Sequence, residues 1–92
     1  MIVSFKHRGL KRFYVSGRSS GINPNHAERI QLILADLNSA TSIQQLRQPV
    51  YRLHSLKGPF AGFYSIHVSA NWRIIFRLRE GNVSDVDLLD YH

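Results

Sequence analysis

The feature that most constrains the fold of this chain is a change in the spacing of its apolar residues near Pro49. Upstream, a segment opened by Asn23-Pro24 has apolar residues at three- and four-residue intervals, which is the helical period, and proline suits the first turn. These residues are Ala27, Ile30, Ile33, Leu34, Leu37 and Ala40. Downstream, the period becomes two, which is typical of strands. A helical first half and a β-rich second half are therefore predicted.

The period-two region contains four candidate strands. They begin near Tyr51, Tyr64, Trp72 and Val83, and the last runs to about Leu89. The segment Glu80-Gly81-Asn82, between the last two, is a hairpin turn signal.

The first half also holds three shorter candidate elements. Residues Ile2–Phe5 are predicted to form a short strand, and about residues 7–15 a short basic helix that ends before Gly17. A helical turn is predicted at Ile43–Arg47, before Pro49. The chain of 92 residues suits one domain, 1–92, of α+β class. We expect a mainly antiparallel sheet with the N-terminal helices packed on one face and a concave basic face opposite.

The charge balance indicates a polyanionic partner. Lysine and arginine number 12 against 6 acidic residues, which gives a formal net charge of +6. Nucleic acid is the usual partner of so basic a small domain. An ordinary basic surface and an anionic membrane are the alternatives, but no basic amphipathic anchor is evident in the sequence.

Several classes of function are excluded by residues that the sequence lacks. It has no cysteine, hence no disulfide, thiolate nucleophile or thiolate metal site. Polar Ser4 and charged Lys6 come too early for a secretory leader. No run approaches the roughly 20 apolar residues that span a bilayer. We therefore expect a soluble, cytoplasmic protein with no membrane partner.

The strand alternation predicts a basic face. If the apolar side of the sheet packs on the helices, the polar alternates project from the other side. These are Arg52, His54, Arg73, Arg77 and Arg79. A solvent-exposed face of this composition could follow a phosphate backbone.

Three short clusters hold the candidate chemistry. They are His54-Ser55-Leu56-Lys57-Gly58 at a strand end, Asn71-Trp72-Arg73 at a strand start, and the final Asp90-Tyr91-His92. Taken singly, each also fits an ordinary surface histidine, a solvated cation or a fraying tail.

Together the clusters supply what cleavage of RNA requires. The ribose 2′-OH attacks the neighbouring phosphate and the 5′-oxygen leaves, so the reaction needs a base, an acid and cations. His54 and His92 can transfer protons near neutral pH, and Lys57 and Arg73 can neutralise charge on the phosphoryl oxygens. Asp90 could orient a histidine. The few carboxylates and the lack of a His-x-x-x-His motif favour a reaction without metal.

At these residues the sequence resembles the RelE superfamily of bacterial toxins and, within it, the HigB family. The resemblance covers essentially the whole chain, and the matching segments occur in the family's order and spacing. They are residues 4–11, Tyr51 to Gly58, Gly62 to Ile66, Asn71 to Phe76, and the terminal Asp90-Tyr91-His92. The chain departs from the family pattern at Ser55, where members often have proline, and near Phe63-Tyr64, where they often have tryptophan.

This resemblance implies an endoribonuclease that enters the ribosomal A site and cuts messenger RNA during translation, with no metal or cofactor. It implies a helix-turn-helix antitoxin of the HigA type as partner, and operator DNA is bound only through the antitoxin complex. The implied catalytic set is His54, Lys57, Arg73, Asp90, Tyr91 and His92.

Further contacts are predicted around this set. Predicted RNA contacts are Asn71, Arg52 and Arg77, and predicted contacts with the RNA of the small ribosomal subunit are Lys6, Arg8, Lys11 and Arg12. Tyr91 could stack on an unstacked base. Because strict alternation puts Tyr91 on the other side from Asp90 and His92, the chain end would have to bend to gather all three.

Two rival functions remain open at this point. One is a gyrase poison of the ParE type, which shares the fold but has no need of the His54, Lys57 and Asp90-Tyr91-His92 set. The other is a nucleic-acid-binding module that binds through its basic face without cleaving.

Overall fold

A computed structural model of the chain describes residues 1–90. Within that range two α-helices precede a four-stranded sheet. The elements are α1 (Arg8–Ser16), α2 (Ala27–Ser39), β1 (His54–Ser55), β2 (Tyr64–Ser69), β3 (Trp72–Arg79) and β4 (Asn82–Asp90). Among these residues, neither α-helix has the length and the apolar run that spanning a bilayer requires.

The sheet has the order β1-β2-β3-β4, and each strand is antiparallel to its neighbour. Short turns at Ala70-Asn71 and Glu80-Gly81 join the last three strands. Glu80 and Gly81 have φ of 51° and 77°, the left-handed pair that a tight hairpin turn requires. The turn predicted at this point is confirmed.

The core lies between α2 and one side of the sheet, which we call the inner face and which carries Tyr64, Ile66, Ile74 and Phe76. Every third or fourth residue of α2 is buried, as the helical period predicts. The fully enclosed side chains include Leu10, Ile30, Ile33, Leu37, Ile66, Ile74 and Phe76. The prediction that the helices pack on one side of an antiparallel sheet is confirmed.

Most of the predicted elements are confirmed. Helix α1 begins one residue after the expected start because the His7 ring caps it, with Nδ1 accepting a hydrogen bond of 3.1 Å from the amide of Leu10. The Asn23 side chain caps the turn that leads into α2. A 3₁₀ turn at Ile43–Leu46 stands where a helical turn was predicted.

The strand predicted from Tyr51 to His54 is wrong for its first part. Residues Pro49–Tyr51 form a 3₁₀ turn, and Arg52 follows with a left-handed φ of 46°. Two tertiary contacts fix this turn. The Tyr51 hydroxyl donates a hydrogen bond to Asp36 on α2, and the Arg29 guanidinium donates one of 2.6 Å to the carbonyl of Val50. Arg52 therefore does not alternate with His54 on one strand.

The N-terminal segment is extended but is not a continuous strand. Ile2 and Phe5 make isolated parallel bridges to Val83 and Val86 of β4. Between these bridges β4 has a bulge at Asp85, whose φ is 54° and whose amide donates to the Ser4 hydroxyl at 2.8 Å. The bulge adds a residue to β4 and interrupts regular pairing.

The buried Tyr51 hydroxyl gives an expected dependence of stability on pH. Burial raises the pKa of Tyr51 above its ordinary value, and the hydrogen bond to the nearby Asp36 carboxylate raises it further. The fold therefore favours the neutral phenol. This contribution to stability is complete below about pH 10, the pKa of unfolded tyrosine, and is lost as the pH rises above it.

We expect Tyr51→Phe to lower the free energy of unfolding by about 1.5–3 kcal/mol at pH 7, since one hydrogen bond to a charged acceptor is lost. The gap between the variant and the wild type should narrow above pH 10. Urea denaturation at pH 7 and at pH 10.5 measures both values, and Tyr14→Phe, at an exposed tyrosine, is the matched control. A gap that stays constant with pH would contradict the coupling.

Candidate active site on the outer sheet face

The sheet side turned away from the helices brings several of the predicted site residues together. In antiparallel pairs, directly opposite residues project from the same side. The register pairs His54 with Ser65 and Ser65 with Ile75, and one row further it pairs His67 with Arg73. We call this side, which carries His54, Ser65, His67 and Arg73, the outer face.

His54 and Arg73 meet around Ser65. The His54 side chain is exposed on β1, and His54 is the direct cross-strand partner of Ser65. One guanidinium nitrogen of Arg73 lies 3.4 Å from the Ser65 hydroxyl, a long hydrogen bond in which arginine donates. Ser65 is 1% exposed and Arg73 is half-buried. An imidazole and a guanidinium therefore flank one buried hydroxyl.

Lys57 lies on the loop that continues β1. The Leu56 amide donates a 2.9 Å hydrogen bond to the carbonyl of Phe63, which extends the pairing of β1 with β2 by one residue. Lys57 follows, exposed, and precedes a 3₁₀ turn at Gly58–Phe60. Ser55 pairs with Tyr64. The ladder thus fixes the base of the loop that carries Lys57.

At the other end of the outer face, two basic side chains pack against the aromatic ring of Phe63. The Arg77 guanidinium lies 4.4 Å from the centre of the Phe63 ring, and the Lys6 ammonium lies 5.5 Å from it. Arg77 also pairs with Asp85, Nε to Oδ2, at 3.4 Å. Lys6, a predicted ribosome contact, and Arg77, a predicted RNA contact, therefore both lie beside the Phe63 ring.

The predicted basic face is exposed at His54 and half-buried at Arg73 and Arg77, and its middle is buried. Phe63, Ser65 and Ile75 are 5%, 1% and 1% exposed. Phe60 packs edge-on against Phe63, so the 58–63 loop covers part of the face. The sequence pattern identified which residues share this side, but did not show that a loop folds over it.

Charge is unevenly distributed across the outer face. The strands β1 to β3 contribute His54, Arg73 and Arg77, whereas β4 contributes Asp87, which the register places opposite Ile75. The Asp87 carboxylate accepts a 2.9 Å hydrogen bond from the amide of Leu88. The anion-attracting part of the face is therefore the part formed by β1, β2 and β3.

Asn71 and Asp90 lie at the end of the sheet nearest Arg73. Asn71 is exposed in the turn between β2 and β3. Asp90 pairs with Trp72, whereas Arg73 pairs with Leu89, so Asp90 is out of phase with Arg73 and on the inner-face side. Tyr91 and His92, the other two members of the predicted catalytic set, lie outside the described residues.

The predicted ribosome contacts on α1 are exposed, and they lie in the helix layer rather than on the outer face. Arg8, Lys11 and Arg12 line a shallow groove of about 470 Å³ together with Val15 and Ser16. Arg12 also donates a 3.3 Å hydrogen bond to the Ser20 hydroxyl. The predicted ribosome contacts are thus divided between two surfaces, with Lys6 on one and Arg8, Lys11 and Arg12 on the other.

The sequence did not identify two polar residues of the outer face as site candidates. Ser65 and His67 alternate with Ile66 and Val68, so the period-two pattern did place them on the polar side. What distinguishes them is tertiary: Ser65 is buried beneath Arg73, and His67 is directly opposite Arg73. Among the described residues, no group of three or more His, Cys, Asp or Glu side chains is arranged to hold a metal ion.

Solved toxin structures share this fold. The crystal structure of YafQ from E. coli strain BL21(DE3) matches with a TM-score of 0.57 at 16% identity, covering 96% of this chain and 89% of that chain. The YoeB–YefM complex from Staphylococcus aureus matches with a TM-score of 0.58 at 15% identity, covering 100% and 95% respectively. The molecule therefore has the small α+β fold of the RelE-like toxins.

The sequence comparisons are more specific. Residues 3–92 match the family model described as the RelE-like toxin of type II toxin–antitoxin system HigB. A protein of Proteus vulgaris named endoribonuclease HigB is 42% identical over 92 residues, which is 100% of both chains. The chain belongs to the HigB-like toxin family, and an antitoxin is accordingly its partner.

Proposed function

We propose that this toxin is an endoribonuclease that cleaves messenger RNA in the ribosomal A site and so inhibits translation. The observation that carries the proposal is the placement of His54 and Arg73 on one sheet face, on either side of buried Ser65. The full-length likeness to a protein named endoribonuclease supports the same reaction.

The proposed reaction is a transesterification that needs no metal. The 2′-oxygen forms a bond to phosphorus and loses its proton to a base, while the bond from phosphorus to the 5′-oxygen breaks and that oxygen takes a proton from an acid. We assign the two proton transfers to His54 and His92. Lys57 and Arg73 neutralise the charge on the phosphoryl oxygens, which contributes about 10²–10³-fold per group in comparable sites.

Asp90 and Tyr91 complete the proposed catalytic set. Because β4 leaves Asp90 on the inner-face side, we propose that the chain end bends toward the outer face, where Asp90 orients a proton-transferring histidine and Tyr91 stacks on an unstacked base or assists a proton transfer. Asn71, exposed in the turn before Arg73, contacts the RNA beside the scissile bond, and Arg52 and Arg77 contact its backbone.

The proposed partners follow from the family and the charge. The antitoxin is a helix-turn-helix protein of the HigA type, and the toxin reaches operator DNA only through it. The exposed cations Arg8, Lys11 and Arg12, with Lys6, contact RNA of the small ribosomal subunit. A net charge of +6 favours such phosphate contacts.

The test is to map the 5′ ends of transcripts in a translation extract treated with the toxin, with and without ribosomes. We expect new 5′ ends within translated codons only when ribosomes are present. Cleavage without ribosomes would contradict the A-site assignment. Absence of any cleaved product, with salt-dependent binding instead, would indicate a binding module, and DNA damage preceding the arrest of protein synthesis would indicate a gyrase poison.

A further inference from the structure

A polar groove lies beside the outer face, where the edge of β2 is left open. In the described part of the chain, β1 pairs only with Tyr64 and Ser65, so the rest of β2 has no strand on that side. The groove there has a volume of about 530 Å³. Its lining consists of Arg29, Pro49, Val50, Arg52, His67, Val68, Ser69 and Ala70, and none of these described residues is acidic.

The Arg29 guanidinium is fixed in the wall of this groove. It donates to the carbonyl of His67 from Nε at 3.2 Å and from a terminal nitrogen at 2.8 Å, and to the carbonyl of Val50 at 2.6 Å. Its carbon also lies 5.8 Å from the centre of the Tyr51 ring. These acceptors are neutral, so the bonds immobilise the guanidinium without cancelling its positive charge.

His67 connects the groove to the candidate active site. Its Nε2 lies 3.1 Å from the carbonyl oxygen of Ala70. A carbonyl oxygen can only accept, so Nε2 is the donor, and in the imidazolium form Nδ1 also carries a proton that it can donate to an anion. His67 is also the direct cross-strand partner of Arg73, so the groove begins one strand away from that arginine.

Arg52 supplies the third polar group from an unusual backbone position. Its φ of 46° is in the left-handed region, where a residue with a side chain is strained by about 1–2 kcal/mol. The preceding turn at Pro49–Tyr51 holds it there, and its side chain is exposed on the groove. The turn therefore places an exposed cation in the lining of the groove.

We propose that this groove binds a backbone phosphate of the RNA strand next to the scissile one, through Arg52 and His67, with Arg29 adding fixed positive charge. The inference rests on the proposed function, since it adds a contact with the same RNA strand beyond Arg73. A guanidinium group binds phosphate well because its planar N–H groups can donate two parallel hydrogen bonds to the phosphate oxygens. Because every nucleotide carries the same phosphate, such a subsite would fix the register of the RNA strand without selecting a base sequence.

The first experiment measures binding of a single-stranded RNA octamer, made non-cleavable by a 2′-O-methyl group at the scissile ribose, by fluorescence anisotropy. We expect the double variant Arg52→Gln/His67→Gln to raise the Kd at least tenfold, and the slope of log K against log salt to fall by about 0.7 for the lost phosphate. Arg18→Gln, at an exposed arginine outside the groove, removes one charge as the control. An equal loss in Arg18→Gln, or no loss in the double variant, would overturn the proposal.

The second experiment locates the phosphate on ribosomes programmed with short synthetic messages. Each message carries one neutral methylphosphonate in place of a phosphate near the cut. We expect one flanking position to slow cleavage by the wild type about tenfold and to slow the double variant no further, because the contact is already absent. If every position affects both proteins equally, the groove is not a phosphate subsite. If the wild type cleaves no message, the proposed function fails, and the binding experiment alone decides on the groove.

Discussion

Replacing His54 with alanine is expected to lower the rate of RNA cleavage by about 10²–10⁴-fold, the usual contribution of a positioned acid or base. The side chain is exposed on a two-residue strand and has no place in the core, so the fold should persist. Its cross-strand partner Ser65 and the neighbouring Arg73 put it on the face where the scissile phosphate is proposed to lie.

Single-turnover cleavage on programmed ribosomes measures this loss. The matched control is Ser55→Ala, which alters the adjacent residue of the same short strand, on the other side of the sheet. It should keep its rate within a few-fold of the wild type.

Added imidazole distinguishes proton transfer from a structural role. If His54 transfers a proton, free imidazole in the buffer should restore part of the rate of His54→Ala. If the histidine merely stabilises β1, imidazole should restore nothing, and thermal unfolding should show a lower Tm for His54→Ala than for Ser55→Ala. Full activity of His54→Ala would remove it from the catalytic set.

The helices and long strands could be predicted because each depends on a pattern that one element carries within itself. Helix α2 follows a turn capped by Asn23 and has an apolar residue at every helical turn, and Ile30, Ile33 and Leu37 are completely buried as that spacing requires. The alternation in β2, β3 and β4 likewise predicted that Ile66, Ile74 and Phe76 share the inner face.

The segment from Tyr51 to His54 shows where such patterns fail. Four residues of alternating polarity fit a strand, but they also fit a turn whose aromatic residue is buried. Here contacts from α2 decide between them, since Asp36 accepts from the Tyr51 hydroxyl and Arg29 from the same helix donates to Val50. These partners are 15 and 21 residues apart in sequence, so no local pattern reveals them.

The candidate site was predictable in its residue types but not in its geometry. Spacing and resemblance singled out His54, Lys57 and Arg73, and the register places His54 and Arg73 on one face. Burial of Ser65 and the opposition of His67 to Arg73 depend on the register and on the loop that covers Phe63. Asp90 is out of phase with Arg73 because β4 pairs it with Trp72, which the sequence alone did not specify.

Replacing Arg73 with alanine is the second large expected effect, a loss of about 10²–10³-fold in the cleavage rate. Arg73 is half-buried in β3, and its long hydrogen bond to the Ser65 hydroxyl holds a positive charge beside the cross-strand partner of His54. A cation held in advance stabilises the charge that develops on the phosphoryl oxygens without having to reorganise during the reaction.

Three variants test whether the rate depends on the charge of Arg73, on the planar shape of its guanidinium, or on its hydrogen bond to Ser65. Arg73→Lys keeps the charge but loses the planar fork, so its rate should fall between those of the wild type and Arg73→Ala. Ser65→Ala removes the hydroxyl to which arginine donates, and should slow cleavage by only a few-fold, since the bond is long at 3.4 Å. Arg18→Ala removes an exposed charge elsewhere and should leave the rate unchanged.

The measurement is again single-turnover cleavage on programmed ribosomes, with toxin in excess so that weaker binding does not limit the rate. Under those conditions a transition-state role lowers the rate constant itself, whereas a role in binding alone raises the toxin concentration needed for half-maximal rate. If Arg73→Ala reaches the wild-type rate constant at high concentration, Arg73 is a binding residue and the charge must be neutralised by other groups, with Lys57 the first candidate to test.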